Sequence, residues 1–118
     1  MPHSSGLLEG KYTADTTFPP SDHRSHRPRE WLTEGLQKLD KLEFLTEETG
    51  RTIGQAAIQF VLNSPAVASV LPNVYDGEQL AEFVAAPGTP PLTEEELSRI
   101  EELYRRNFDL LRVAAQQR

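Results

Sequence analysis

The chain has 118 residues, with 12 Lys and Arg against 18 Asp and Glu, a formal net charge of −6 and no cysteine. That acid excess argues against nucleic acid or an anionic membrane as the main partner, because phosphate-rich surfaces are held by concentrated basic faces. The missing cysteines exclude disulfides, thiolate catalysis and cysteine-based metal sites. No apolar run reaches the roughly 20 residues of a membrane helix, and the first residues lack a secretory apolar core, so the expected location is the cytoplasm.

The first stretch, Pro2 to Tyr12, is punctuated by Gly6 and Gly10, which permit close backbone approach, while Ser4 and Ser5 carry hydroxyls able to donate to phosphate oxygens. From Thr13 to Arg29 three prolines and no periodicity predict a long loop. His23, Arg24, His26, Arg27 and Arg29 make it locally basic; without further ligands at fixed spacing it reads as a solvated or acid-paired loop rather than a metal site. Leu32, Leu36, Leu39, Leu42 and Leu45 then recur three or four residues apart, flanked by Trp31 and Phe44, which predicts a helix over Glu30 to Thr49 capped by Gly50. The Glu34/Lys38 pair supports it at i,i+4 spacing. The stripe spans barely two heptads, so it suits the buried face of a surface helix better than a coiled-coil seam.

A second helix, capped by Thr52, places Ile53, Ala56, Ala57, Phe60 and Val61 on one narrow face and ends at Asn63-Ser64-Pro65. The short connection between these helices predicts that they fold back on each other. Val67 to Leu71, bounded by Pro65 and Pro72, reads as a short strand covered on both faces. Asp76 can cap a further helix through the N–H groups of Glu78 and Gln79, with Leu80, Phe83 and Val84 directed inward. Such a strand-to-helix junction is where α/β proteins bind anions. After a proline-rich turn, Thr93 and Glu96 form a capping box, stapled by Leu92 against Leu97. The apolar face of that helix is Leu97, Ile100, Leu103 and Tyr104, and residues 108–118 read as a weakly helical tail.

Gln55 to Leu62, Ser69 to Asn73 and Gly77 to Phe83 resemble, in order and spacing, the last barrel unit of the aldo-keto reductases. Pro2 to Tyr12 is similar to that family's "PLasGlLtGkY", and Phe18 to Arg24 to its "fPxxDhR". The resemblance implies an α/β chain, the C-terminal fragment of a (β/α)8 barrel. It would be predominantly helical with one short parallel-type strand, residues 1–107 being barrel and 108–118 the tail. A whole barrel needs about 250 residues, so the expectation is a truncated or separately encoded portion, completed by the remainder of the barrel or by a second copy.

The same resemblance implies part of a nicotinamide dinucleotide site, for NADP or NAD, built from Ser5, Gly6, Leu7, Asn73, Tyr75, Gln79 and Glu82. Asn73 to Tyr75 stand where many members carry a glycine or lysine and then a basic or hydroxyl residue that meets the 2′-phosphate, Tyr75 replacing a frequent arginine, and Phe83 replaces an asparagine near the adenine. The loss of a charge-assisted phosphate contact, about 1.5–3 kcal/mol, weakens selectivity for NADP. The family reduces aldehydes and ketones through a tyrosine, lysine, aspartate and histidine set from earlier strands, and those motifs have no counterpart here. Lys11, Tyr12, Tyr75 and Tyr104 are therefore not assigned to catalysis, and no metal is expected. The competing expectation is a helical interaction or oligomerisation module that has lost the reaction.

Overall fold

A computed structural model describes residues 2–110. Four α-helices carry the fold: α1 (Arg29–Asp40), α2 (Ile53–Leu62), α3 (Gly77–Val84) and α4 (Glu94–Arg105), joined by loops and short 3-10 turns. The expected tail lies mostly outside the described residues. Its first part forms a 3-10 turn, Asn107–Asp109, whose three residues all have positive φ.

α2 is the centre. Its start is fixed as anticipated and more firmly: the Thr52 hydroxyl accepts from Gln55 N–H, while the Gln55 side chain accepts from Thr52 N–H, closing a capping box. One side of α2 presents Ala56 to Leu45 and Leu92, with Leu42, Phe44, Ile53, Leu97 and Ile100 packed around them. Another presents Ile58 to Phe83 and Ala86, with Leu62 beside them. Phe60 is half-exposed, so the narrow face read from the sequence is only partly covered.

Between those sides, two glutamines of α2 fasten α3. Gln55 donates from Nε2 to the Glu82 carbonyl at 2.9 Å, and Gln59 donates to the carbonyls of Ala86 and Thr89 at 2.8 and 3.1 Å. Both are buried and sit one helical turn apart, so Gln55 reaches a carbonyl in the last turn of α3 and Gln59 those of the 3-10 turn that follows it. Gly54 lets the helices meet closely: a methyl group there would lie 2.7 Å from the Glu82 carboxylate and 3.0 Å from the Phe83 ring.

Arg51, one residue before the capping box, fixes α4. Its guanidinium donates to the Leu45 carbonyl at 3.1 Å, to the Pro90 and Pro91 carbonyls at 2.9 and 3.1 Å, and to the Glu96 carboxylate. Its side chain is only 2% exposed. Glu96 is also the N3 partner of the Thr93 cap, so one carboxylate serves both the helix end and the buried arginine. Burial raises the Glu96 pKa, but the hydrogen bonds from Thr93 and Arg51 outweigh it and hold the group below its ordinary value.

Four sequence expectations are corrected. No strand is present among the described residues: Val67 to Leu71 takes no regular secondary structure, and Leu71 is 86% exposed. A strand needs a neighbouring ladder to satisfy its backbone, and none lies beside this segment. The helix read over Glu30 to Thr49 ends at Asp40, and Leu45 reaches the core from a separate 3-10 turn, Glu43–Leu45. Breaking there turns Leu45 toward Ala56 and Leu92, a burial that straight propagation would forgo. Gly50, at φ 77°, closes the turn after Leu45 instead of capping α1. Finally, Leu80, Val84 and Tyr104 are exposed, while Phe83, Gln79 and Leu103 take the buried positions of their helices.

Candidate functional site

The sequence singled out two stretches 66 or more residues apart, around Ser5 and around Asn73. They meet. A small recess is lined by Pro2, His3, Ser5, Gly6, Glu9, Asn73 and Tyr75.

Its floor is an unusual turn. Ser4, Ser5 and Gly6 have φ of 50°, 57° and 90°, three successive residues in the left-handed region. Only glycine adopts it without penalty, so the two serines must be held there by their surroundings. The turn is closed by Leu7 N–H to the Ser4 carbonyl at 3.2 Å and Leu8 N–H to the His3 carbonyl at 3.0 Å. It is gripped from outside by Tyr12, whose hydroxyl donates to the Ser5 carbonyl at 2.8 Å, and by Arg24, whose Nη1 donates to the same carbonyl at 3.4 Å and to the Tyr12 oxygen. Arg27 donates to the Ser5 hydroxyl at 3.2 Å.

The basic loop supplies these contacts because it is itself locked. Asp22 caps the 3-10 turn His23–His26, accepting from Arg24 N–H at 2.9 Å, and also takes the Arg24 Nε and Nη2 at 2.9 and 2.5 Å. This acid pairing matches the sequence expectation for the cluster. The side-chain hydrogen bond to Arg24 is the main cause of an Asp22 pKa far below the carboxylate range, and the same bond raises that of Arg24. Phe18 lies beneath Arg24, 4.5 Å from guanidinium carbon to ring centroid, and meets the Tyr12 ring edge-on at 5.4 Å. Arg27 stacks over Trp31 at 4.7 Å, joining the loop to α1. Burial raises the Tyr12 pKa, with Arg24 opposing, so its phenol remains a donor at neutral pH.

The Asn73 side is set by α3. Asp76 caps that helix by accepting from Gln79 N–H at 2.8 Å, one of the two N–H groups expected, and the buried Gln79 side chain accepts from Tyr75 N–H at 2.8 Å. Tyr75 is thereby fixed with its ring largely in solvent.

Of the seven predicted positions, Ser5, Gly6, Asn73 and Tyr75 converge on the recess. Gln79 underlies it through Tyr75. Leu7 and Glu82 do not line it. Leu7 packs on Gly35 of α1, and the Glu82 carboxylate accepts from the Thr52 hydroxyl at 2.6 Å in the α2–α3 joint. Phe83 is not free to stack on a ligand either; its ring lies 4.5 Å from that of His3, nearly parallel, and is buried. His3 also bonds the Gly54 carbonyl through Nε2 at 2.9 Å. Sequence reading did not assign Arg27 or Glu9 to this place; the Arg27–Ser5 proximity depends on how the loop folds back.

The recess is small, about 10 Å³, and hydroxyl, amide and aromatic groups surround its backbone turn, with Arg24 and Arg27 behind it. Glu9 adds a negative group at its rim. No cluster of three or more metal-ligating side chains occurs among the described residues, and none of their helices is long and apolar enough to cross a membrane.

The serine–glycine turn at Ser4 to Gly6 thus faces the segment that leads into α3. The sequence matches the model of the aldo/keto reductase family over residues 1–105, and the chain belongs to that family. It is 31% identical over 110 residues to an L-glyceraldehyde 3-phosphate reductase of Escherichia coli O157:H7, covering 86% of this chain and 31% of the relative. It is 30% identical over 106 residues to a probable voltage-gated potassium channel subunit beta of Oryza sativa subsp. japonica, covering 85% and 32%. The corresponding protein of Arabidopsis thaliana is also 30% identical, over 108 residues. The chain thus spans about a third of the length of these relatives. No solved structure matches.

Proposed function

We propose that this chain is the cofactor-contacting C-terminal portion of an NAD(P)H-dependent aldo-keto reductase, a protein that reduces aldehydes or ketones to alcohols. The observation that carries the reading is the meeting of Ser5 and Gly6 with Asn73 and Tyr75 at one recess. Ser5, Gly6 and the backbone of their turn would hold the pyrophosphate, and Asn73 and Tyr75 the adenosine end. The dinucleotide supplies the hydride in such a reaction. This chain's part is to bind and orient; the proton donor and its partners come from earlier barrel strands in the family, so the chain by itself is inactive. With no cation at Asn73 or Tyr75, the 2′-phosphate gains no charge-assisted bond there, and NADPH and NADH should bind with similar affinity.

Isothermal titration calorimetry of the 118-residue chain with each dinucleotide tests this directly. Saturable heat with both, within about fivefold in Kd (roughly 1 kcal/mol), is the expected result. Absence of binding at millimolar ligand would remove the proposal.

A further inference from the structure

We infer that Tyr12 is a positioning residue for the pyrophosphate end of the recess, acting through the Ser5 carbonyl; this rests on the dinucleotide reading above. Three left-handed residues in a row, two of them serines, do not persist on local preference. The bonds that close the turn from within, at Ser4 and His3, leave the Ser5 carbonyl to be oriented from outside. Tyr12 does that with the shorter contact, 2.8 Å against 3.4 Å from Arg24.

Tyr12 is itself fixed by two neighbours, one of them anchored in turn. Arg24 bonds its oxygen, Phe18 meets its ring, and Asp22 holds Arg24. Gly6 completes the fit: a Cβ there would stand 2.3 Å from the Tyr12 oxygen, so the phenol occupies the space a side chain at position 6 would need. The Tyr12 hydroxyl therefore fixes the peptide plane between Ser5 and Gly6. That peptide's N–H, at Gly6, lies on the opposite side from the carbonyl and is set by the same bond. A ligand phosphate at this turn meets a donor whose direction Tyr12 determines, although Tyr12 is not required to touch the ligand.

The test compares the full chain with Tyr12→Phe, which keeps the ring and removes only the hydroxyl. Two ligands are titrated: NADP+, which contains the pyrophosphate, and 2′-AMP, which contains only the adenosine end. Binding is followed by amide chemical-shift changes, and the Gly6 amide signal reports the turn itself. The expected result is NADP+ affinity reduced about threefold to tenfold, the range of one neutral hydrogen bond, with 2′-AMP affinity unchanged and the free-state Gly6 signal displaced. Tyr104→Phe, at an exposed position on α4 that does not line the recess, serves as the control.

NADP+ binding that is unaffected by Tyr12→Phe overturns the positioning role while leaving the dinucleotide reading intact. Equal weakening of both ligands also overturns it, since that is the mark of a general loss of structure. Failure of the unaltered chain to bind NADP+ removes the dinucleotide reading, and the role of Tyr12 falls with it.

Discussion

Replacing Arg51 by methionine keeps the length of the side chain and removes every donor it offers. The guanidinium serves three carbonyls and one carboxylate, drawn from the turn before α2, the proline pair before α4 and α4 itself. Removing one partner of a buried ion pair costs about 3–5 kcal/mol. Here Glu96 retains its bond from Thr93 and a 14% exposed edge, so the lower end applies, about 3 kcal/mol. Against a typical domain stability of about 5–15 kcal/mol this is a large fraction. Urea unfolding followed by far-ultraviolet circular dichroism should show an earlier midpoint at unchanged slope. The pH dependence gives a second reading of the same pair. Because the Glu96 pKa is lowered in the folded chain, its contribution is present above the unfolded carboxylate value, about 4.3, and is lost as pH falls through the folded one. The gap between the parent chain and Arg51→Met should therefore narrow in acid. A loss below about 1 kcal/mol at neutral pH, the value of a surface pair, would refute the assignment of Arg51 as the fastening of α4.

Gln59→Ala removes one donor each from the Ala86 and Thr89 carbonyls, and because the Ala86 carbonyl keeps its bonds from the Thr89 N–H and hydroxyl, the loss should be about 0.5–1.5 kcal/mol of unfolding free energy in the same urea assay. Leu71→Ser should change stability by no more than about 0.5 kcal/mol, because the side chain is already in solvent; a loss above 2 kcal/mol by thermal melting would mean that the segment is packed as a strand after all.

The starts of the helices were legible because each is written in a few adjacent residues. Thr52, Asp76 and Thr93 all cap as their sequence contexts indicate. What depended on distant partners was not. The end of α1 at Asp40 carries no glycine or proline to announce it, and the leucine stripe continues past the break because Leu45 is buried from a different element. Val67 to Leu71 has the composition of a strand, but strand formation is a property of a pair. Gln55, Gln59, Gln79 and Arg51 look like surface residues in sequence; each is buried because a carbonyl, an N–H or a carboxylate elsewhere answers it. For the candidate site, the resemblance named Ser5, Gly6, Asn73 and Tyr75, which line one recess, whereas the grip of Tyr12, Arg24 and Arg27 on the serine turn could not be read before the loop was seen folded back.

Pro65 and Pro72 acquire a second meaning from the unladdered segment between them. Ala66 to Leu71 is a six-residue window, rich in small and β-branched side chains, uncharged and largely in contact with water. Windows of this kind are adhesive, since their amides accept any passing extended chain. With an imino acid at each boundary the zone cannot lengthen, because neither proline has an N–H to offer. Whatever tendency this polypeptide has to clump in concentrated solution is thus gated at both ends by the same two rings that stop its helix and punctuate its turn.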